Sequence, residues 1–195
     1  MERAVRLSVY GKDEQQRRLA AEFVDYILRR AEEAGDDVYE KAKEVVEEGR
    51  ARSSLTLKGF EKEVKADGRR YVVKVRDGET VEEGRGGRKL LRIKITAEVG
   101  RVEGEHIVDR VVREYTITFG RYGKLNAAVG FAYASVDAPG GRGTDAERYS
   151  ALVEALTGKR PRILKRSDGT IELVCGGEHL DGFKRFAELA DAIEK

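Results

Sequence analysis

Leu91-Arg92-Ile93-Lys94-Ile95-Thr96-Ala97-Glu98-Val99 alternates apolar with charged or hydroxyl side chains without a break. An extended backbone sends successive side chains to opposite faces, so this stretch reads as a strand with one dry and one wet side. The same alternation runs through Tyr71, Val73 and Val75, and again through Val111, Tyr115, Ile117 and Phe119. Across from that last set lie Val112, Glu114, Thr116 and Thr118. Leu55 and Leu57 open the series as a further short strand. The separators are turn formers: Asp67-Gly68, Asp77-Gly78, Gly84 to Gly87, and Gly100 to Gly104. Strands joined by such short turns pair antiparallel, so a meander is expected.

Helices are expected on both sides of this block. Val5 to Val9 alternates briefly and reads as a strand. Asp13 and Gln16 fit a capping box for a helix whose buried stripe is Leu19, Phe23, Tyr26, Ile27 and Arg30, ended by Gly35. Val38 to Glu48 follows as a second helix, with Val38, Ala42, Val45 and Val46 inward and Gly49 as its stop. Gly123 to Val136, with Ala127, Ala128, Gly130, Ala132 and Ala134, suits either a close-packed strand or a small-residue helix; a strand over 129–136 is preferred. Thr144 is read as the N-cap of a helix with Glu147 closing its box, Tyr149, Leu152, Val153 and Leu156 buried, and Gly158 as its end. A hairpin comes next, Arg162 to Lys165 and Thr170 to Cys175, turned at Ser167-Asp168-Gly169. One last helix carries Leu180, Phe183, Ala187, Ala190 and Ile193. The expected fold class is α+β: a mostly antiparallel meander packed against helices, with an N-terminal helical pair and a C-terminal helix-hairpin-helix. It forms one domain over 1–195, made of an acidic strand-helix-helix part over 1–50 and an α+β part over 51–195.

Composition bounds the interior. Of 195 residues, 40% are apolar and 38% charged, with no Trp, so the core must come from Val, Leu, Ile, Ala and Tyr. A chain of this length buries roughly 70% of the surface its unfolded form exposes. Net charge is only +2, but Asp13 to Glu48 holds twelve acids against six bases, leaving the remainder basic. Asn126 is the only Asn, Gln15 and Gln16 the only Gln; scarce heat-labile amides with dense mixed charge is a thermophile pattern. A single cysteine, Cys175, rules out an intramolecular disulfide and reads as a buried, inert thiol. Neither a signal-like apolar run nor a membrane-length one occurs, so a cytoplasmic location and no membrane partner are expected.

The sites that the residues suggest are mostly cationic. Lys159, Arg160, Arg162, Lys165 and Arg166 sit together without an acid among them, and Arg85, Arg88, Lys89, Arg92 and Lys94 form a second group. Such groups can neutralise phosphates of DNA or RNA by counterion release, without reading sequence; the alternative is solvated faces paired with the abundant Glu. Gly140 to Gly143, with Arg142, resembles a phosphate-holding turn at a helix start, opposed by Asp145 and Glu147 in the expected first turn. Glu178, His179 and Asp181 suit a helix end better than a metal. No catalytic set and no cofactor are expected, the nearest thing to a metal pair being Asp137 and Asp145.

Leu55 to Glu63, Glu114 to Phe119, Gly130 to Ala134, Ala155 to Pro161 and His179 to Phe183 with Ala187 to Ile193 together resemble the PaRep two-b family, multicopy paralogues of hyperthermophilic archaea of the Pyrobaculum kind. That resemblance spans about residues 50–195 and implies a thermophilic source, but carries over no catalytic residues. More distantly, Thr144 to Lys195 preceded by Ala127 to Ala134 is similar to the latter part of the LAGLIDADG homing-endonuclease fold. The similarity implies a sheet able to contact DNA and a small-residue helix ending in a metal-binding acid, which only Asp137 matches. Three classes of function stay open: a non-catalytic nucleic-acid-binding module, a protein-interaction domain forming a homodimer along a strand edge or through the acidic helices, and a divergent metal-dependent endonuclease.

Overall fold

The structure, a computed structural model, describes residues 1–11, 14–52, 55–85, 88–122 and 127–194. Its elements run α1 (Glu2–Tyr10), α2 (Glu14–Ala34), α3 (Asp36–Arg52), β1 (Glu61–Ala66), β2 (Arg69–Arg85), β3 (Arg88–Glu103), β4 (His106–Tyr122), β5 (Ala127–Tyr133), α4 (Gly141–Thr157), β6 (Arg162–Lys165), β7 (Ile171–Cys175), α5 (Gly177–Phe183) and α6 (Ala187–Ile193). The seven strands form one sheet in the order β1-β2-β3-β4-β5-β7-β6, every pair antiparallel. The α+β class and the meander are therefore as the alternation implies.

Helices α4, α5 and α6 cover one face of the sheet. Ile93, Ile95, Ala97 and Val99 of β3 are fully buried there, beside Tyr115 and Ile117 of β4 and Val73 of β2. Leu152 and Leu156 of α4, Phe183 of α5, and Phe186 and Leu189 at α6 close the core over them. Helix α4 ends at Gly158, whose left-handed φ of 72° lets its N–H reach the Glu154 carbonyl. None of the described helices is long and apolar enough to cross a membrane.

The N-terminal part differs from the sequence expectation. Residues 5–9 are helical, not a strand, because a five-residue window cannot separate a period of 2 from one of 3.6. Met1, Ala4 and Val5 instead share a helical face that packs on Val24 and Val46, a second small core. Gly49 does not stop α3, which continues to Arg52; a Cβ there would sit 3.3 Å from that of Val5, so the glycine lets α1 cross closely. In α2 the buried residues are Ala20, Val24 and Ala31, while Leu19, Phe23 and Tyr26 are 54%, 49% and 53% exposed. The small residues admit α1, and the bulky stripe faces out. Asp13, expected to cap α2, lies outside the described residues.

Four further expectations change. Asp77-Gly78 is not a turn but sits inside β2 at a bulge after Val75. A Cβ on Gly78 would come within 2.3 Å of Leu57, which is wholly buried. Leu55 and Leu57 belong to no strand; the Leu57 N–H donates to both Glu188 oxygens at 2.8 and 3.0 Å. Helix α4 begins at Gly141 with Gly140 as N-cap, so Thr144 lies inside it and donates to the Gly140 carbonyl. The expected last helix is two, broken at 184–186 before Phe186 turns into the core as the cap of α6.

Candidate functional site on the open face of the sheet

The pleat decides which side chains can act together. Since Leu91, Ile93 and Ile95 point toward the helices, Arg92 and Lys94 point to the opposite face. Following the register outward from Arg92 gives a continuous row on that face: Arg92 opposite Thr118, Thr118 opposite Phe131, Phe131 opposite Val174, and Val174 opposite Arg162. Phe131 thus lies two strand spacings, about 10 Å, from an arginine position on each side. Tyr122 meets the Phe131 ring edge-on at 5.5 Å, and Tyr133, next along β5 on the same face, is 59% exposed. The Tyr133 hydroxyl donates to Glu172, which also holds Arg166. Partial burial and the Glu172 carboxylate raise the Tyr133 phenol above its ordinary value.

Most of the cations singled out by sequence have carboxylate neighbours. Arg92 pairs with Glu83 at 3.0 Å and Lys94 with Glu79 at 3.5 Å. Arg160 is held by Asp67 at 2.6 Å and Glu154 at 3.2 Å, Lys159 lies 3.8 Å from Glu178, and Arg166 pairs with Glu172. Among the described residues Arg162, Lys165 and Lys89 have no carboxylate in reach; the side chains of Arg85 and Arg88 lie outside those described. The pleat also splits both groups: Lys165 is in phase with core-facing Ile163, and Lys89 with Leu91. Toward β1 the open face is evenly mixed, with Lys74–Glu61, Arg70–Glu63 and Arg76–Glu98 pairs. Among the described cations that the sequence singled out, Arg162 is the one on the open face without a carboxylate in reach, and Phe131 lies about 10 Å from it across β7.

Other candidates resolve into structural roles. His179 is 3% exposed, and its Nδ1 accepts the Gly176 N–H at 3.0 Å, capping α5. Asp145 is completely buried and takes the Ser135 N–H at 2.7 Å and Arg113 at 3.1 Å, whereas Asp137 is exposed and its N–H donates to Ser135 Oγ. No group of three His, Cys, Asp or Glu among the described residues could hold a metal. Residues 127–133 form a strand rather than a small-residue helix. Cys175 is buried, and burial pushes its thiol up to about 12. Phe131, Tyr133 and Tyr122 were not legible as a site, because their shared face depends on long-range register. Set beside protein-family models, curated proteins and solved structures, the chain matches none.

Proposed function

We propose that this protein binds single-stranded nucleic acid on the open sheet face, with bases stacking on Phe131 and Tyr133 and phosphates meeting Arg92 and Arg162. The observation that supports this reading is the in-register row that puts an aromatic ring between two arginines. Base–aromatic stacking contributes about 1–3 kcal/mol per base and tolerates any sequence, while arginines add a salt-sensitive phosphate term. Rings lying on a sheet reach unstacked bases far better than the edges of paired ones, which favours single strands. A mobility-shift titration against salt tests it, using a single-stranded oligonucleotide and a duplex of equal length. Phe131→Ala should weaken single-strand binding about fivefold or more at every salt concentration. Arg162→Ala should flatten the salt dependence by roughly 0.7 in the log–log slope. Equal binding by wild type and Phe131→Ala, or a preference for duplex, contradicts the reading.

A second reading, self-association, is supported by the outward stripe Leu19, Phe23 and Tyr26, continuous with a groove of about 410 Å³ between α1 and α2 lined by Ala4, Leu7 and Ala20. Helix α2 carries five acids and four bases, so the face would not repel its own copy across a two-fold axis. Strand edges serve this less well, since β1 is charged along Glu61, Lys62, Glu63 and Lys65 and β6 is four residues long. Half-exposed side chains gain about 1 kcal/mol each on full burial, against an association cost of at least about 4 kcal/mol, so any dimer is weak. Sedimentation velocity over a concentration series should show association that persists in salt and disappears in Phe23→Ser; a monomer at all concentrations contradicts it.

A further inference from the structure

A cleft of about 220 Å³ opens where the start of α4 meets the turn end of β3 and β4, on the helix-covered side of the sheet. The guanidinium-bearing residues Arg69, Arg101 and Arg148 line it, against two carboxylates, Asp109 and Glu147. Glu147 holds Arg69 through both oxygens at 2.8 and 2.6 Å. Arg101 is held by Asp109 at 2.9 Å and by Glu103 at 2.7 Å, yet its Nε is buried without a partner. Arg110, whose backbone borders the cleft, sends its guanidinium to within 3.9 Å of Glu98 on the open face.

Arg148 is the decisive group. It is 2% exposed, and its Nη1 donates to the Pro139 carbonyl at 2.6 Å, but no carboxylate among the described residues lies within ion-pair distance. The neighbouring buried acid, Asp145, is already taken by Arg113. A buried cation without a counter-charge is costly, and a cleft that exposes it to an incoming anion relieves that cost. The N-terminus of α4 adds to the field, because the helix starts at Gly141 and its first turn holds no acid; Asp145 is buried against Arg113, and the Glu147 carboxylate in the lining is taken by Arg69.

We propose that this cleft binds a tetrahedral oxyanion of the phosphate type, drawn to Arg148, which has no carboxylate partner among the described residues, with Arg69 and Arg101 beside it. Guanidinium forks suit such an anion geometrically as well as electrostatically. The experiment is titration of the full chain with inorganic phosphate at fixed ionic strength, followed by calorimetry and by phosphorus NMR, with sodium chloride as the control. Saturable binding is expected, weakened about tenfold or more in Arg101→Ala and in Arg69→Ala. The Arg69 and Arg101 side chains are 51% and 30% exposed, so these variants should fold; circular dichroism checks it. Phe131→Ala should bind phosphate as the wild type does, which separates this cleft from the sheet face. A nucleoside 5′-monophosphate in a second arm identifies the source: tighter binding points to a nucleotide phosphate, equal binding to the free ion. A response no different from chloride, or unchanged affinity in both arginine variants, overturns the proposal.

Discussion

Asp145→Asn is the sharpest probe of the interior. Asp145 is fully buried, and the Arg113 guanidinium it binds lies over the Tyr115 and Tyr149 rings at 4.5 and 5.4 Å. Burial pushes the Tyr115 phenol up to about 12 and raises that of Tyr149 too, so neither ring supplies a negative charge. The amide keeps an acceptor for the Ser135 N–H, so the substitution removes charge and little else. Breaking a buried ion pair from one side costs about 3–5 kcal/mol. Arg113 keeps its ring contacts and is 22% exposed, so water and the π-faces recover part of that. The expected loss is about 2–3 kcal/mol, or roughly 4–12 °C in Tm for a chain this long. Denaturant titrations of Asp145→Asn, Arg113→Met and the double variant measure it. Arg113→Met should be the worse single change, since it strands a buried carboxylate, and the double variant should be more stable than the sum of the two losses allows, by about 1 kcal/mol or more. A loss under about 0.5 kcal/mol for Asp145→Asn, or simple additivity, would mean that the pair does not hold α4 to the sheet.

Gly78→Ala puts a methyl where Leu57 already sits, within 2.3 Å, and should cost about 1–3 kcal/mol in the same titrations. Arg6 ties α1 to α6 through Glu194 at 2.7 Å and Asp191 at 3.1 Å. Burial opposes it, but hydrogen bonds from Arg6 and Lys184 hold the Glu194 carboxyl below its ordinary value. A lowered folded value means that the stabilisation is present above the unfolded carboxylate value and is lost as pH falls through the folded one. Wild type should therefore lose more stability than Glu194→Gln between about pH 6 and pH 3, with equal losses counting against the tie. Cys175 should not react with a thiol reagent at about pH 8 in the folded protein and should react at once in denaturant; fast native labelling would contradict its burial.

The sheet was legible because one face of it is dry: each alternating run from Tyr71 to Phe119 became a strand with the expected inward residues. The N-terminal helices were not, for two physical reasons. Val5 to Val9 is too short for its period to be read, and in α2 two apolar stripes lie side by side. Packing against α1 selected the stripe with Ala20 and Ala31 over the bulkier one. Asp77-Gly78 failed as a turn because its glycine answers to Leu57, distant in sequence, rather than to local chain reversal. The site was legible as charge but not as geometry. Lys159 to Arg166 and Arg88 to Lys94 look like uniform positive groups in one dimension, yet the pleat sends alternate members to opposite faces and the fold supplies Asp67, Glu79, Glu83 and Glu172 to most of them. The rings between them became visible only through the pairing of β4, β5 and β7.

The absence of tryptophan from the sequence allows a direct measurement on the open face. Phe131→Trp places a lone indole at the centre of the arginine-flanked row, and a short single-stranded oligonucleotide is titrated against its fluorescence. Saturable quenching that fades as salt rises is the expected result. An unchanged indole signal under conditions where Arg162 contacts would be strongest, at low salt and saturating oligonucleotide, would contradict stacking on this face.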